Sequence, residues 1–498
     1  MAISRRRALL AAPLLLAGCN VGPNFRRPQA ATPAGWSPAA LTPPRFAEGR
    51  AVPAEVDNLW WNSFNDPLLA DLVLAVEAGN PDLEEAAARI AETRQQRDIA
   101  FAGFWPTLSA NGSDTRLRIS QNSPFAALAG GQPSVGGQPS ASQGVTIPTG
   151  PKPGLAIYQL GFDAAWEVDL WGRTRRGIEA ADADLLGAQR LLDNARLSLR
   201  AEAARTYLEL RGLQARRGIA ERSLGLQRDT AGLTRSRFRS GFATEVDVAN
   251  AEAQQAGTEA TIPQLQAQET QAMNRLARLL GLPPGGLTAR LAEPPPLSSM
   301  PTVVAVGVPI DVIRRRPDVA AAEAALAAQT ARIGVAVAQL YPSLRINGSI
   351  GLQSGNTANL FDLASRFFSI GPALVVPIFE GGRLRAQVRL EEARAQTAAI
   401  TWRRTVLDAL HEAENALAAW YGEQGRHAGL LRQAQAAGRA AGLSRTRFLA
   451  GLGTFLDVLD AERTRLAAEL AAAESAALAA TDLVAAYKAL GGGWQTAA

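Results

Sequence analysis

The feature that most constrains this 498-residue chain is that its sequence repeats itself. Residues of the first half recur in the second half at a fixed distance of 210 positions. The recurring residues, each with its counterpart, are Gly172-Arg173 with Gly382-Arg383, Arg237-Phe238 with Arg447-Phe448, Gly241 with Gly451, Thr244 with Thr454, Asp247-Val248 with Asp457-Val458, Ala251-Glu252 with Ala461-Glu462, and Leu280-Gly281 with Leu490-Gly491. A single register without a gap from 172 to 281 predicts two copies of one structural unit.

A further match lies upstream at a larger distance. Trp105-Pro106 corresponds to Tyr341-Pro342, which is 236 positions later, so the first copy contains 26 additional residues. These residues fall between Gln121 and Pro153, in a stretch rich in Gly, Pro, Ser and Gln. Such a composition predicts a mobile loop in the first copy.

Both copies contain the same three predicted helices. They cover 81–104 and 317–339, then 173–238 and 383–448, and after a short turn 245–281 and 455–490. At ~1.5 Å per residue the longest helix of each copy spans ~100 Å, and the two shorter helices stacked end to end nearly equal it. These lengths predict a hairpin of one long helix and two stacked shorter helices.

Apolar and polar residues alternate between the first and the longest helix of each copy, which indicates strands. Ser343 to Leu352 and Tyr158 to Val168 show this alternation, and their partners are predicted at Thr107 to Ile119 and Phe368 to Phe379. Segments of this kind are typical of a membrane β-barrel, although a half-buried soluble sheet alternates in the same way. Four strands cannot close a barrel, and open edges are not tolerated in lipid, so a barrel would require several copies of the chain.

The N-terminal residues predict where in the cell the protein is delivered. Residues 1–18 have a basic start and a short apolar run that is typical of a signal peptide, and no later segment is predicted to be a membrane helix. The run ends in Leu16-Ala17-Gly18-Cys19, which resembles the lipobox of bacterial lipoproteins and implies an acylated Cys19. The alternative is a small buried cysteine after an ordinary signal peptide. Asn20, rather than aspartate, favours delivery of such a lipoprotein to the outer membrane.

Prolines follow at every fifth position from Pro23 to Pro43. Prolines at this density hold a chain extended, so residues 19–56 are predicted to be a lipid anchor and a tether, although plain disorder explains them as well.

The composition argues against several classes of function. Only 6% of the residues are aromatic and the net charge is +5, and no aromatic and basic nucleic-acid module is present, so nucleic acid is not an expected partner. His411 and His427, the only histidines, are too far apart in sequence to share a metal, and Cys19 is the only cysteine. Neither a phosphate loop nor a nucleophile elbow is found. We expect no catalytic site, no metal and no cofactor apart from lipid on Cys19.

Together these features resemble the outer-membrane efflux protein family, in particular its lipoprotein branch, over nearly the whole mature chain. The residues that carry the resemblance are Cys19-Asn20-Val21-Gly22-Pro23, Trp60-Trp61, Phe64, Asp66-Pro67-Leu68, Arg314-Arg315-Arg316-Pro317-Asp318, Tyr341-Pro342, Pro377-Ile378-Phe379, Gly381-Gly382, and Tyr487-Lys488-Ala489-Leu490-Gly491-Gly492-Gly493-Trp494.

The resemblance implies an α+β fold in which an outer-membrane β-barrel, with four strands per subunit, continues into a long periplasmic α-helical coiled-coil barrel closed by trimerisation. It implies a passive channel for drugs or other small molecules. The implied partners are two further copies of the chain, a periplasmic adaptor protein, an inner-membrane RND-type pump and outer-membrane lipid.

The chain is accordingly divided into six parts. They are the signal peptide 1–18, the anchor and tether 19–56, the first repeat 57–281 with its β-hairpin at 105–170, an equatorial connection 282–316, the second repeat 317–491 with its β-hairpin at 341–380, and a tail 492–498. Residues 57–74, at the start of the first repeat, have the pattern of an amphipathic helix.

Two sites are carried over from the resemblance. The first is the pair of helix-hairpin ends, which are similar to ends that dock an adaptor. This assigns adaptor contact to Gly241, Thr244, Asp247, Gly451, Thr454 and Asp457. Glycine also serves tight turns and threonine also caps helices, so a purely structural use of these residues stays open.

The second site is a periplasmic gate formed by Leu456, Asp460 and Arg463, which match residues that close the tunnel in similar channels. Spacings of four and three place them on one helix face. In a ring of copies, salt bridges between Asp460 and Arg463 would hold the coil shut. The alternative is a solvated pair within one helix, worth only ~0.3 kcal/mol. The first copy carries no such charged pair, since it has Val246, Asn250 and Ala253 there.

Other functions remain open. A type I protein-secretion channel has a similar architecture, but the lipobox and the Arg314 to Asp318 motif weigh against it. A periplasmic adaptor or a structural coiled-coil lipoprotein would explain the helices but not two amphipathic strand pairs.

Overall fold

The computed structural model describes residues 20–30, 32–38, 42–43, 49–117, 155–292 and 300–495. Cys19, the signal peptide and the whole of the predicted loop 121–153 lie outside these residues. The chain divides into two compact units. The first contains the described residues of 1–24, 96–180 and 330–393, and the second those of 25–95, 181–329 and 394–498.

The helices of the two repeats have equal lengths. The α-helices of the described residues are α1 (Pro67–Gly79), α2 (Pro81–Ala102), α3 (Arg173–Arg239), α4 (Glu245–Leu279), α5 (Thr288–Leu291), α6 (Pro309–Arg315), α7 (Pro317–Ala338), α8 (Arg383–Leu449) and α9 (Phe455–Ala489). α3 and α8 have 67 residues each, and α4 and α9 have 35 each. Both pairs begin 210 positions apart.

The segment 57–74, which has an amphipathic helical pattern, is divided between two helices in the structure. A 3-10 helix, Trp60–Phe64, ends at Asn65, whose φ of 50° is left-handed. α1 then starts afresh because Asp66 accepts hydrogen bonds from the N–H groups of Leu68 and Leu69, at 3.0 and 3.2 Å. A capping carboxylate followed by Pro67 in the first helical position satisfies donors that would otherwise have no partner.

The first unit contains a four-stranded antiparallel sheet. Its strands are β2 (Thr107–Leu117), β3 (Leu155–Val168), β5 (Ser343–Ser354) and β6 (Arg366–Val375), paired in that order. The two hairpins have the same register, since Thr107 pairs with Ala165 and Ser343, 236 positions after Thr107, pairs with Val375, 210 positions after Ala165. A short parallel pair, β1 (Arg50–Val52) with β4 (Val303–Ala305), belongs to the second unit.

One face of the sheet is apolar and the other is polar. Phe162 lies opposite Ile350, which lies opposite Phe368, and these side chains are 53%, 62% and 80% exposed. The neighbouring row is polar, with Asp163 opposite Ser349. The alternation seen in the sequence therefore forms a continuous apolar surface that no part of the chain described by the structure covers.

The last strand is shorter than predicted. β6 ends at Val375, whereas the alternation predicted a strand to Phe379. Ile378 and Phe379 are 93% and 90% exposed. β6 is an edge strand, so this end of the segment has no partner within the described chain to hold it in a ladder.

The second unit has an aromatic core formed by Trp60, Trp61 and Tyr487, which are among the residues that carry the family resemblance. Trp60 stacks on Tyr487 with a centroid distance of 5.2 Å and meets the edge of Trp61 at 5.5 Å. Its indole N–H donates to the Gly492 carbonyl at 3.2 Å. The start of the first repeat is thereby packed against the end of the second.

A buried arginine joins the start of the second repeat to the end of the same repeat. Arg316 donates to both carboxylate oxygens of Asp318, at 3.0 and 2.7 Å, and to the Ala489 carbonyl at 2.9 Å. Burial opposes the charge of this guanidinium, but the hydrogen bonds and charges of Asp318 and Glu412 raise its pKa. The basic motif before α7 therefore has a structural role.

The sequence analysis predicted no membrane helix after the signal peptide. This prediction is wrong, because one later helix has the length and the apolar composition of a membrane helix. Among the described helices, α9 is long and apolar enough to cross a membrane. More than half of its most apolar stretch is buried against the rest of the chain, as in the core helix of a soluble protein.

Candidate functional site at the two hairpin ends

Both long helices end in the same turn. After α3, the Phe242 N–H donates to the Arg237 carbonyl at 2.8 Å and the Gly241 N–H to the Phe238 carbonyl at 2.9 Å. After α8, Leu452 and Gly451 make the corresponding bonds at 2.9 and 3.1 Å. This is the Schellman arrangement, which needs a left-handed residue after the helix. Gly241 and Gly451 supply it with φ of 78° and 74°.

Both return helices begin with a capping box. The Thr244 N–H donates to the Asp247 carboxylate at 2.9 Å, and the Asp247 N–H donates to the Thr244 hydroxyl at 3.2 Å. Thr454 and Asp457 repeat the arrangement at 3.0 and 3.2 Å. The six residues assigned to adaptor contact therefore shape the turns, and the structural use left open for them is present.

The most exposed large side chains of these turns lie within the two predicted hairpin ends but were not among the six residues assigned to adaptor contact. Phe242 is 83% exposed and Leu452 is 71% exposed, and the two occupy equivalent positions 210 apart. An apolar residue fixed at the outermost point of each turn is a better candidate for binding another protein than a threonine or aspartate bonded to its own helix. The sequence feature that could have identified them is an apolar residue directly after the repeated glycine of each turn.

The second hairpin has an aromatic core that the first lacks. Phe448 of α8 meets Phe455 of α9 edge to face at 5.9 Å, and Val458 packs with them. The position of the first copy that corresponds to Phe455 is Glu245, which cannot supply an aromatic contact.

An arginine joins the two hairpins. The Arg237 guanidinium of α3 lies over the Phe448 ring, 4.2 Å from its centroid, and donates to the Phe448 carbonyl at 3.3 Å. A cation over an aromatic face is worth ~0.5–2 kcal/mol, depending on desolvation. This contact links the C-terminal ends of the two long helices.

The predicted gate residues lie on the face of α9 opposite this core. Leu456 is 63% exposed, and Asp460 and Arg463 are exposed as well, whereas Phe455 and Val458 on the other face are buried. Within the part of the chain that the structure describes, Asp460 and Arg463 form no ion pair with each other or with any other side chain. The alternative of an ion pair closed within one helix is therefore not present among the described residues.

Asp457 gives the turn a pH dependence. Hydrogen bonds from Thr454, first from its N–H and then from its hydroxyl, lower the pKa of the Asp457 carboxyl, and Arg447 lowers it further. A carboxyl with a lowered pKa stabilises the folded turn above the ordinary aspartate pKa of about 3.9, and this contribution is lost as the pH falls through the lowered value.

We therefore expect Asp457→Ala to speed amide exchange in the first turn of α9 at neutral pH, because the Thr454 N–H loses its acceptor. Hydrogen exchange followed by mass spectrometry, corrected for intrinsic rates, measures this. The difference between variant and wild type should disappear well below pH 4. Ser444→Ala, in the body of α8, is a control that should leave the turn unchanged at every pH.

No metal site accompanies these residues. The described residues contain no group of three His, Cys, Asp or Glu side chains that could hold a metal ion.

Comparisons with known proteins agree with this architecture. The family model described as outer membrane efflux protein matches residues 72–282 and 308–492. Nodulation protein T of Rhizobium leguminosarum bv. trifolii is 32% identical over 452 residues, which cover 91% of this chain and 89% of that protein. Outer membrane protein OprJ of Pseudomonas aeruginosa is 32% identical over 496 residues, covering 98% and 95%. The solved structure of the outer-membrane channel OprN has a TM-score of 0.83 at 36% identity, covering 96% of this chain and 100% of that one.

Proposed function

Because the chain belongs to the outer membrane efflux protein family, it is an outer-membrane channel of an efflux system, and we propose that three copies form the conducting unit. Small molecules, drugs among them, would pass from an RND-type inner-membrane pump and a periplasmic adaptor into the channel and leave passively. The energy would come from the pump.

The observation that carries this proposal is the sheet of the first unit. It exposes the row Phe162, Ile350 and Phe368 on one face and leaves β2 and β6 as unpaired edges. An uncovered apolar face suits lipid, but open strand edges in lipid are very costly. Edges β2 and β6 of neighbouring copies would satisfy each other and close a barrel of four strands per subunit.

The repeat predicts how these edges pair. Within one chain β3 pairs with β5, with Val168 opposite Leu344. The counterpart of Val168, 210 positions later, is Ile378, three residues beyond the end of β6. The counterpart of Leu344, 236 positions earlier, is Leu108 in β2. Ile378 of one copy should therefore lie opposite Leu108 of the next, which would extend β6 beyond Val375.

We expect every second backbone amide of the segment, either those of Val376 and Ile378 or that of Phe379, to become strongly protected from hydrogen exchange on assembly. Only alternate N–H groups of a strand point to one neighbour, and a paired amide exchanges far more slowly than a free one. Exchange in the assembled protein is compared with that in detergent-dissociated chains that keep their fold. Val168, which is already paired in the single chain, is the internal reference. Equal exchange of 376–379 in both states would contradict this register.

The described start of the chain supports a lipid anchor at Cys19. Arg176, which is 1% exposed, donates to the carbonyls of Val21 and Gly22 at 3.2 and 3.3 Å and to the Asn24 side chain at 2.7 Å. The residues that follow Cys19 are thus fixed to the sheet-containing unit, where an acyl chain would assist attachment. Mass spectrometry of the mature N-terminus tests this, because an unacylated Cys19 in the membrane-extracted protein would refute it.

The hairpin ends would meet the adaptor, with Phe242 and Leu452 making the outermost contacts and Gly241, Thr244, Asp247, Gly451, Thr454 and Asp457 holding them in place. On the gate face of α9, Leu456, Asp460 and Arg463 would close the tunnel. The exposure of this face and its unpaired charges support that role.

The test of function is single-channel recording in planar bilayers, with the native mass of the same sample measured beforehand. The wild type and a variant with alanine at positions 460 and 463 are compared. Conductance from an assembly of three copies is the expected result. If assemblies of that mass conduct in neither protein, the channel proposal fails.

A further inference from the structure

We infer that the second unit carries a binding site for an organic anion with an apolar body, in a groove where Arg211 supplies the positive charge. The groove lies between three helices of this unit and includes neither the hairpin ends nor the residues assigned to the gate. The inference goes beyond the proposed channel function, because the site is complete within one chain.

The groove is formed mainly by apolar side chains. It has a volume of about 560 Å³ and lies along α9, between α3 and α8. Small residues of α9 leave this space open, and leucines of the two flanking helices border it. These residues are Ala472, Ala473, Ala476, Ala480, Leu208 and Leu431. A groove of this size accommodates a drug-sized molecule.

The charge of the groove comes from Arg211 of α3, which lines it and is 4% exposed. Its Nη1 donates to the Gln214 side chain at 2.6 Å. Its Nε and Nη2 are buried and have no hydrogen-bond partner in the part of the chain that the structure describes. No carboxylate of the same residues forms an ion pair with it. A buried charge with unmatched donors is costly until an anion neutralises it.

An aromatic ring compensates for part of this cost. The Arg211 guanidinium carbon lies 4.7 Å from the centroid of the Tyr207 ring. Such a contact attracts the cation but does not neutralise it. The guanidinium therefore keeps its affinity for an anion.

The other charged groups of the groove also favour an anion. Arg222 lines the groove about three turns further along α3 and is exposed. Glu469, a carboxylate that lines the groove, lies 3.8 Å from Arg465 of its own helix. His427 of α8 lines the groove as well, and its Nδ1 is buried with no hydrogen-bond partner among the described residues. The balance of charge is positive, which attracts anions.

The second copy shows the equivalent position with its partners in place. Tyr421, which corresponds to Arg211, accepts a hydrogen bond on its hydroxyl from the Ala51 N–H at 2.7 Å. One turn further along α8, Gln424 accepts from the Gly49 N–H at 2.8 Å. The backbone of the chain thus supplies partners in the second copy, whereas the first copy has a charged side chain with unmatched donors.

These features select the ligand by its chemistry. Nε and Nη2 of an arginine form a planar fork that suits two oxygens of a carboxylate or sulfonate. Since both atoms are shielded from water, the flexible Arg211 side chain would turn toward the groove as the anion enters. The apolar body would lie along the alanines of α9. Fatty acids of a membrane and aromatic acids both have this chemistry.

The experiment is equilibrium dialysis of naphthalene-2-sulfonate against the full-length protein in dodecyl maltoside, with binding to protein-free micelles subtracted. Saturable binding is expected. Naphthalene-2-sulfonamide, which has nearly the same shape but no charge, should bind at least about tenfold more weakly, because it loses a charge-assisted hydrogen bond.

The arginine is tested with Arg211→Met, which should bind the sulfonate at least about tenfold more weakly and should not distinguish the two compounds. The matched control is Arg228→Met, which removes an exposed arginine of the same helix that does not line the groove. This control should bind as the wild type does. Competition with dodecanoate below its micellar concentration then separates the two sources, since displacement of the sulfonate indicates a fatty acid and its absence an aromatic acid.

A second variant and a second measurement guard against misfolding. Ala476→Phe, which places a ring in the groove from another helix, should abolish binding of both compounds. The sulfonate should raise the unfolding midpoint of the wild type and of Arg228→Met but not that of Arg211→Met, because a ligand stabilises only the fold that binds it. Without ligand, Arg211→Met should unfold at nearly the wild-type midpoint, since it removes a buried charge that has no counter-ion.

Three results would overturn the inference. They are the absence of saturable binding, equal binding of sulfonate and sulfonamide, and unchanged binding in Arg211→Met or Ala476→Phe. None of them bears on the channel proposal, which is tested by conductance.

Discussion

Replacing Asp460 and Arg463 together by alanine is expected to raise the single-channel conductance of the assembled protein severalfold. The two side chains are exposed on one face of α9 and have no ion-pair partner among the described residues of their own chain. Each exposed ion pair is worth up to about 1 kcal/mol. A ring of such pairs would favour the closed state by a few kcal/mol, and this preference is lost in the variant.

The buried face of α9 is not changed by the two alanine substitutions, so a change in conductance can be attributed to the loss of the charges. Phe455 and Val458 stay buried against α8 and α3 in the variant, so the helix should keep its place and its fold. The control is Asn250→Ala, at the first-copy position equivalent to Asp460, which should leave conductance unchanged. A steady wild-type pore that is unaffected by loss of Asp460 and Arg463 would place the constriction elsewhere.

The largest loss of stability is expected for Trp60→Ala. Trp60 is 1% exposed, stacks on Tyr487 and donates to the Gly492 carbonyl. Removing a fully buried tryptophan costs about 3–5 kcal/mol, because the cavity that remains is only partly filled by relaxation. This is a large part of the total stability of an ordinary domain, about 5–15 kcal/mol.

Thermal unfolding in detergent, followed by circular dichroism, measures the effect as a fall in the unfolding midpoint. Phe242→Ala is the matched control, since this aromatic side chain is 83% exposed and its loss should change the midpoint little. An unchanged midpoint in Trp60→Ala would mean that the contact of Trp60 with Tyr487 and Gly492 does not limit the stability of the fold.

The sequence predicts the helical part of this fold well because the signal there is local. A helix needs only its own periodicity and its caps, and the repeat provides each boundary twice. Thr244 with Asp247, and Thr454 with Asp457, have the spacing of a capping box, which marks the start of the two return helices.

The errors arise where structure depends on partners distant in sequence. The alternation to Phe379 is genuine, but a strand needs a neighbour, and β6 has none in one chain beyond Val375. In the same way, no local pattern shows that Trp60 meets Tyr487 or that Arg237 covers Phe448. The sequence did contain a clue to the second contact, since Arg-Phe is one of the repeated pairs.

The equal lengths of the paired helices restrict how such a chain can change during evolution. Inserting one residue into α3 would rotate everything beyond it by about 100° and shift it by ~1.5 Å, which would turn Arg237 away from Phe448. Insertions of about seven residues would come close to restoring the faces. Single-residue length changes should therefore be tolerated only between the elements, and the 26 residues by which the copies differ do lie between β2 and β3.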